Sequence, residues 1–168
     1  MIFRVAAALI FTAVGAVIGF SLTDRLRSAK KSCNSVEHLL RRSIYIIGIR
    51  REDVYGLCRN LKGDVNLKCL KFLQKLPDEY RTGEDFHTIW RESLDSEKNV
   101  CSEEKEILYR FGEILGRSDS VSQISQINGF LKELEQLSEL RRHELLKKGR
   151  LYQGAGVLFG IMAGILVL

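Results

Sequence analysis

Both ends of this 168-residue chain are stripped of charge while the middle is dense with it. That partition limits the fold more than any other feature. Every acidic residue, and every basic residue except Arg4, lies between Asp24 and Arg150. Residues 5–23, VAAALIFTAVGAVIGFSLT, are uncharged, and residues 151–168, LYQGAGVLFGIMAGILVL, have Gln153 as their strongly polar position. At 1.5 Å per residue, helices of these lengths reach about 27 to 28 Å, close to the thickness of a hydrocarbon core. Each run is expected to be a transmembrane helix. A cleaved signal peptide is the competing reading of the first run, which follows Arg4. Its apolar stretch exceeds a usual signal h-region, and Gly19-Phe20-Ser21-Leu22 lacks a small-residue cleavage site, which favours a signal anchor.

Orientation follows from lysine and arginine near the span ends. Arg25, Arg27, Lys30 and Lys31 follow the first run, and Arg141, Arg142, Lys147, Lys148 and Arg150 precede the second. The sequence therefore predicts three parts: an N-terminal transmembrane helix at 1–23, a cytoplasmic domain at 24–150 and a C-terminal transmembrane helix at 151–168. Gly15 and Gly19, and Gly156, Gly160 and Gly164, recur at four-residue steps. That spacing lets helix backbones approach closely, so these glycines are candidate packing faces between the spans, with partner subunits or with further copies of the chain.

The middle reads as an all-α bundle. A single proline, where average usage gives about eight, favours long helices over loops. Apolar residues at three- and four-residue steps predict six helices. The first covers 35–49, with Val36, Leu39, Leu40, Ile44 and Ile47 inward. The second carries Val54, Leu57, Cys58 and Leu61 and stops at Gly63-Asp64. A third carries Leu70, Leu73 and Leu76 and ends at Pro77. The fourth runs from about Glu84 to Leu94, anchored by Trp90, and the fifth over 102–115, stopped by Gly116. A sixth starts at Asp119 or Ser120, carries Val121, Ile124, Ile127, Leu131, Leu134, Leu137 and Leu140, and continues into the second span. No segment has the alternation a strand requires.

Little in the sequence points to catalysis. Cys33, Cys58, Cys69 and Cys101 match no zinc or redox spacing and read as reduced structural thiols. His38, His87 and His143 fall on separate helices, and there is no P-loop or nucleophile elbow. No enzyme activity, metal or cofactor is expected. The net charge of +5 is concentrated where basic residues would meet anionic lipid, which points to a bilayer rather than to nucleic acid. One turn stands apart: Gly112 and Gly116 allow a close backbone approach, and Ser118 or Asp119 can cap the sixth helix. A tight turn does not account for Gln123.

Particular residues carry a resemblance. The run Phe86-His87-Thr88-Ile89-Trp90-Arg91-Glu92-Ser93-Leu94, the turn Phe111-Gly112-x-x-Leu115-Gly116-x-Ser118-Asp119 with Gln123, and Lys148-Gly149-Arg150-Leu151-Tyr152 before a glycine-rich span resemble the stage III sporulation protein AB family. That family is similar in turn to the inner-membrane platform protein of type II secretion and type IV pilus machines, whose cytoplasmic domains are six-helix bundles. The resemblance implies a mother-cell membrane subunit of the channel to the engulfed forespore. It would couple a cytosolic motor ATPase, the stage III sporulation protein AA, to other channel subunits. Gly112, Gly116, Ser118, Asp119 and Gln123 are then the candidate partner interface. The alternative is a membrane-tethered signalling or regulatory module. The cysteine content, and Gly48, Gly56 and Gly129 inside proposed helices, depart from a typical member.

Overall fold

The computed structural model describes the backbone of residues 2–167, with side chains described throughout residues 27–144 and at isolated positions on either side. Among the described residues there are five α-helices and no strand: α1 Ile2–Tyr45, α2 Val54–Gly63, α3 Phe86–Asp95, α4 Ser102–Ile114 and α5 Ser120–Val167. The chain divides into two compact units. One joins Met1–Lys30 with Glu139–Leu168, and the other is Lys31–Ser138. Residues 5–23 and 151–167 are helical. Most of their side chains lie outside the described residues, as does the packing expected at Gly15, Gly19, Gly156, Gly160 and Gly164. Among the described residues no helix is long and apolar enough to cross a membrane.

Within the unit Lys31–Ser138, α1 buries Val36, Leu39 and Leu40, as its stripe predicts. It does not continue as α-helix to Ile49. Residues Ile46–Arg50 form a π-helical turn, closed by the Arg51 N–H donating to the Ile46 carbonyl at 3.1 Å. The Asp53 carboxylate then starts α2 by accepting from the Gly56 N–H at 2.7 Å, one of the orphan donors of a helix N-terminus. Leu57, Cys58 and Leu61 face inward from α2, which ends at Gly63 as expected. Neither Gly56 nor Gly129 interrupts its helix.

The expected third α-helix does not form. Its place is taken by two 3-10 segments, Val65–Leu67 and Lys71–Lys75. Leu70, Leu73 and Leu76 are buried all the same, because a strict three-residue step suits a 3-10 repeat better than an α-helix. A distant residue holds the second segment in place. The buried Glu97 carboxylate accepts from the Phe72 N–H at 2.9 Å with one oxygen, and from the Lys98 and Asn99 N–H groups at 2.9 and 2.8 Å with the other.

Helix α3 begins two residues later than expected, because Asp85 is its cap. The carboxylate accepts from the Thr88 N–H at 3.0 Å and the Thr88 hydroxyl at 2.7 Å, and these bonds, the hydroxyl's foremost, hold its carboxyl below the usual range. Phe72, Phe86, Trp90 and Phe111 then meet in one aromatic cluster. The Trp90 ring lies 5.4, 5.9 and 5.6 Å from those of Phe72, Phe86 and Phe111, within the range for favourable ring pairs. On α5 the stripe is buried at Ile127 and Leu134 and half-buried at Ile124, Leu131 and Leu137. Its two ends, Val121 and Leu140, are exposed.

Glu97→Ala leaves three backbone donors without their acceptor. It should lower the stability of the full-length protein by about 2 to 3 kcal/mol, checked by thermal unfolding in detergent. Unchanged stability would show that Glu97 does not organise the 3-10 segments.

Candidate functional site

The five residues singled out in the α4–α5 turn come together, and each has a role inside the fold. Gly112 is buried on the face of α4 that meets α3, and a Cβ built on it would overlap the Trp90 indole. Gly116 has φ +74°, the left-handed conformation that lets a helix stop within one residue, and a Cβ there would lie 3.0 Å from Val54. Asp119, not Ser118, supplies the cap of α5: one carboxylate oxygen accepts from the N–H groups of Val121 and Ser122, both at 3.1 Å. Gln123 now has an explanation. Its buried side-chain amide donates to the Ser118 carbonyl at 2.7 Å, locking the turn onto the first turn of α5. Arg117, Ser118 and Asp119 stand exposed at the surface of this turn.

Beside it, α3 and α4 enclose a cleft of about 310 Å³ floored by Trp90 and Gly112. The contact is held at two levels. The Trp90 indole N–H donates to the Leu108 carbonyl at 2.9 Å, and His87 Nδ1 lies 3.0 Å from the Gly112 carbonyl. Residues three apart on α3 thus meet residues four apart on α4, as two facing helix surfaces allow. At the rim, Arg91 pairs with Glu113 at 2.9 Å and the Tyr109 hydroxyl donates to the Asp95 carboxylate. That hydrogen bond, together with desolvation, pushes the Tyr109 pKa up to about 12. Also on α4, one terminal guanidinium nitrogen of Arg110 donates to both oxygens of Glu133 on α5, at 2.7 and 2.8 Å. Periodicity could not show the seating of Trp90 on Gly112 or the bonds of His87 and Tyr109, because each joins residues far apart in sequence.

The remaining candidate ligands are dispersed. His38 Nε2 bonds Asp64 at 2.9 Å. Burial works against ionisation of Asp64, but the His38 bond, the Asn66 N–H and nearby positive charge together hold its carboxyl below the usual range. None of the four cysteines is in a disulfide, and burial pushes the Cys58 pKa up to about 12. Among the described residues no cluster of His, Cys, Asp and Glu could hold a metal ion.

The architecture defines an all-helical protein whose most elaborated surface feature is a rigidly capped helix-helix turn beside an interhelical cleft. The sequence profile of stage III sporulation protein AB matches residues 4–168, essentially the whole chain, so the chain belongs to that family. Its role accordingly lies in stage III of sporulation. No curated protein and no solved structure matches it.

Gly112→Ala forces a methyl group into the Trp90 ring and should cost about 3 kcal/mol, while Gly116→Ala should cost about 1 to 2 kcal/mol through the left-handed backbone. Fluorescence-detected unfolding checks both, since Trp90 is the one tryptophan of the sequence. A second outcome concerns pH. Tyr109 keeps its proton in the folded state beyond the pH at which the unfolded chain releases it. Its contribution is therefore fully present below about pH 10 and is lost as pH rises toward 12. Asp95→Asn should return the Tyr109 phenolate absorbance, measured as the difference from Tyr109→Phe, toward pH 10.

Proposed function

We propose that the chain is a non-enzymatic membrane platform or adaptor subunit of the secretion-like channel joining mother cell and forespore. The family match over residues 4–168 is the observation that carries this reading. In it, residues 5–23 and 151–168 cross the mother-cell membrane around the forespore, and the clustered lysines and arginines keep residues 24–150 on the cytosolic side. The glycine faces of the two spans pack against each other or against other channel subunits. The helical middle contacts the cytosolic motor ATPase, the stage III sporulation protein AA, through the turn from Gly116 to Gln123 and the cleft beside it. Supporting this reading, the turn is held by its own caps, so it presents a fixed surface at no further ordering cost on binding.

The test uses tagged full-length protein, solubilised in mild detergent from sporulating cells, with co-purifying proteins identified by mass spectrometry. Recovery of the motor ATPase together with other channel subunits is expected. Recovery of the protein alone, in an intact detergent complex, would overturn the adaptor reading in favour of a membrane-tethered regulatory module.

A further inference from the structure

An open pocket of about 370 Å³ lies where Arg42 of α1 meets Arg59, Asn60 and Gly63 in the last turns of α2, with Asp64 just beyond them. Its two cations differ from other arginines of Lys31–Ser138. Arg41, Arg50, Arg91 and Arg110 each donate from the guanidinium to a side-chain acceptor. Arg42 and Arg59 donate to none among the described residues. Arg42 is the sharper case, because it is half-buried. Its Nε is enclosed without a hydrogen-bond partner, and the nearest carboxylate, that of Asp64, lies 3.9 Å away, beyond hydrogen-bond reach. Asp64 is held where it is: one oxygen meets His38 Nε2 at 2.9 Å and the other accepts from the Asn66 N–H at 2.9 Å. The Tyr45 ring, 5.3 Å from the guanidinium centre, holds the Arg42 side chain from another direction. A half-buried guanidinium without an acceptor carries a desolvation penalty, which an acceptor from outside the chain would relieve.

The lining also indicates the kind of acceptor. Asn60 offers no donor, since its amide hydrogens go to Glu52 and to the Gly56 carbonyl, so the two guanidinium groups set what the pocket reads. Arg51 and Arg117 also lack an acidic partner among the described residues, but both are exposed and neither lines this pocket. Against an anion stand the Asp64 carboxylate and the C-terminal end of α2, where negative charge is disfavoured. A singly charged carboxylate has little to set against them. A phosphate group carries more charge, and its several oxygens can take donors from both guanidinium groups at once. Gly63 leaves the approach open, because a Cβ on it would meet nothing within 4 Å. We propose that Arg42 and Arg59 form a binding site for a phosphate group, carried by a soluble phosphoester or by a lipid headgroup. The site goes beyond the adaptor reading above and does not depend on it.

The test uses full-length protein in neutral detergent at a constant ionic strength of about 0.15 M, titrated with inorganic pyrophosphate by calorimetry and with phosphatidylglycerol by native mass spectrometry. One-to-one binding of at least one probe, with a Kd of about 1 mM or tighter, is expected. Pyrophosphate binding alone assigns a soluble ligand, phosphatidylglycerol binding alone a headgroup, and binding of both a site that reads the phosphate group whatever carries it. Arg42→Gln with Arg59→Gln should weaken binding about tenfold or more, the loss expected for a hydrogen bond between charged groups. Where Trp90 fluorescence shows that this variant folds poorly, Gly63→Glu answers in its place. It keeps both arginines, adds a carboxylate at the pocket from a position with open space around its Cβ, and should weaken binding as much. Arg51→Gln with Arg117→Gln should leave binding unchanged. Failure of the wild-type protein to bind either probe overturns the proposal. So does retention of binding by a folded pocket variant, an equal loss in the Arg51 and Arg117 variant, which is the response of net charge alone, or acetate binding as tightly as the phosphate probe.

Discussion

Trp90 can be buried where it is because residue 112 has no Cβ. The indole lies on the bare backbone of α4, its N–H satisfied by the Leu108 carbonyl, and Phe72, Phe86 and Phe111 close around it. A buried indole N–H without an acceptor would carry a desolvation penalty, so the ring needs both the space above Gly112 and the carbonyl one turn earlier. His87 extends the arrangement by meeting the Gly112 carbonyl, one of those a helix C-terminus leaves short of partners. The positions of α3, the cleft and the α4–α5 turn all depend on this contact. The turn begins four residues after Gly112, so the glycine that seats the tryptophan also fixes where the capped surface stands.

The sequence made legible those features that repeat locally. Helices α2 and α4 and the start of α5 could be placed to within a residue, because each combines an apolar stripe with a nearby stop or cap: Gly63 for α2, Gly116 for α4 and Asp119 for α5. Leu70, Leu73 and Leu76 were readable as buried but not as 3-10, and the Glu97 carboxylate that accepts from the Phe72 N–H lies 25 positions away. The π-turn at Ile46–Arg50 was equally hidden. Its stripe is compatible with an α-helix, and the bond from the Arg51 N–H to the Ile46 carbonyl that distinguishes the two has no signature in the spacing. At the candidate site the glycines, the cap and Gln123 were visible as unusual residues, and their partners were not.

Electrostatics in Lys31–Ser138 follow the same division between local and distant. Exposed pairs such as Arg41 with Glu37 are helix neighbours worth a few tenths of a kcal/mol. The pairing of Arg110 with Glu133 joins α4 to α5, and the Arg110 guanidinium also lies 5.2 Å from the centre of the Phe130 ring. Its geometry is specific but its groups remain half in water, so it orients the helices more than it stabilises them. Stability comes instead from the aromatic cluster and the leucine layers of α1, α2 and the 3-10 segments, where burial is nearly complete.

The state of the polar groups around the cleft bears on what it can do. Here the hydrogen bond to Asp95 keeps Tyr109 protonated to about pH 12, while the Thr88 bonds keep Asp85 ionised well below neutrality. Arg91 and Glu113 are matched to each other, and one nitrogen of His87 is engaged by a backbone carbonyl. Each interaction holds a group in one direction. Such a surface is suited to recognition, because a partner meets charges and donors that need not reorganise.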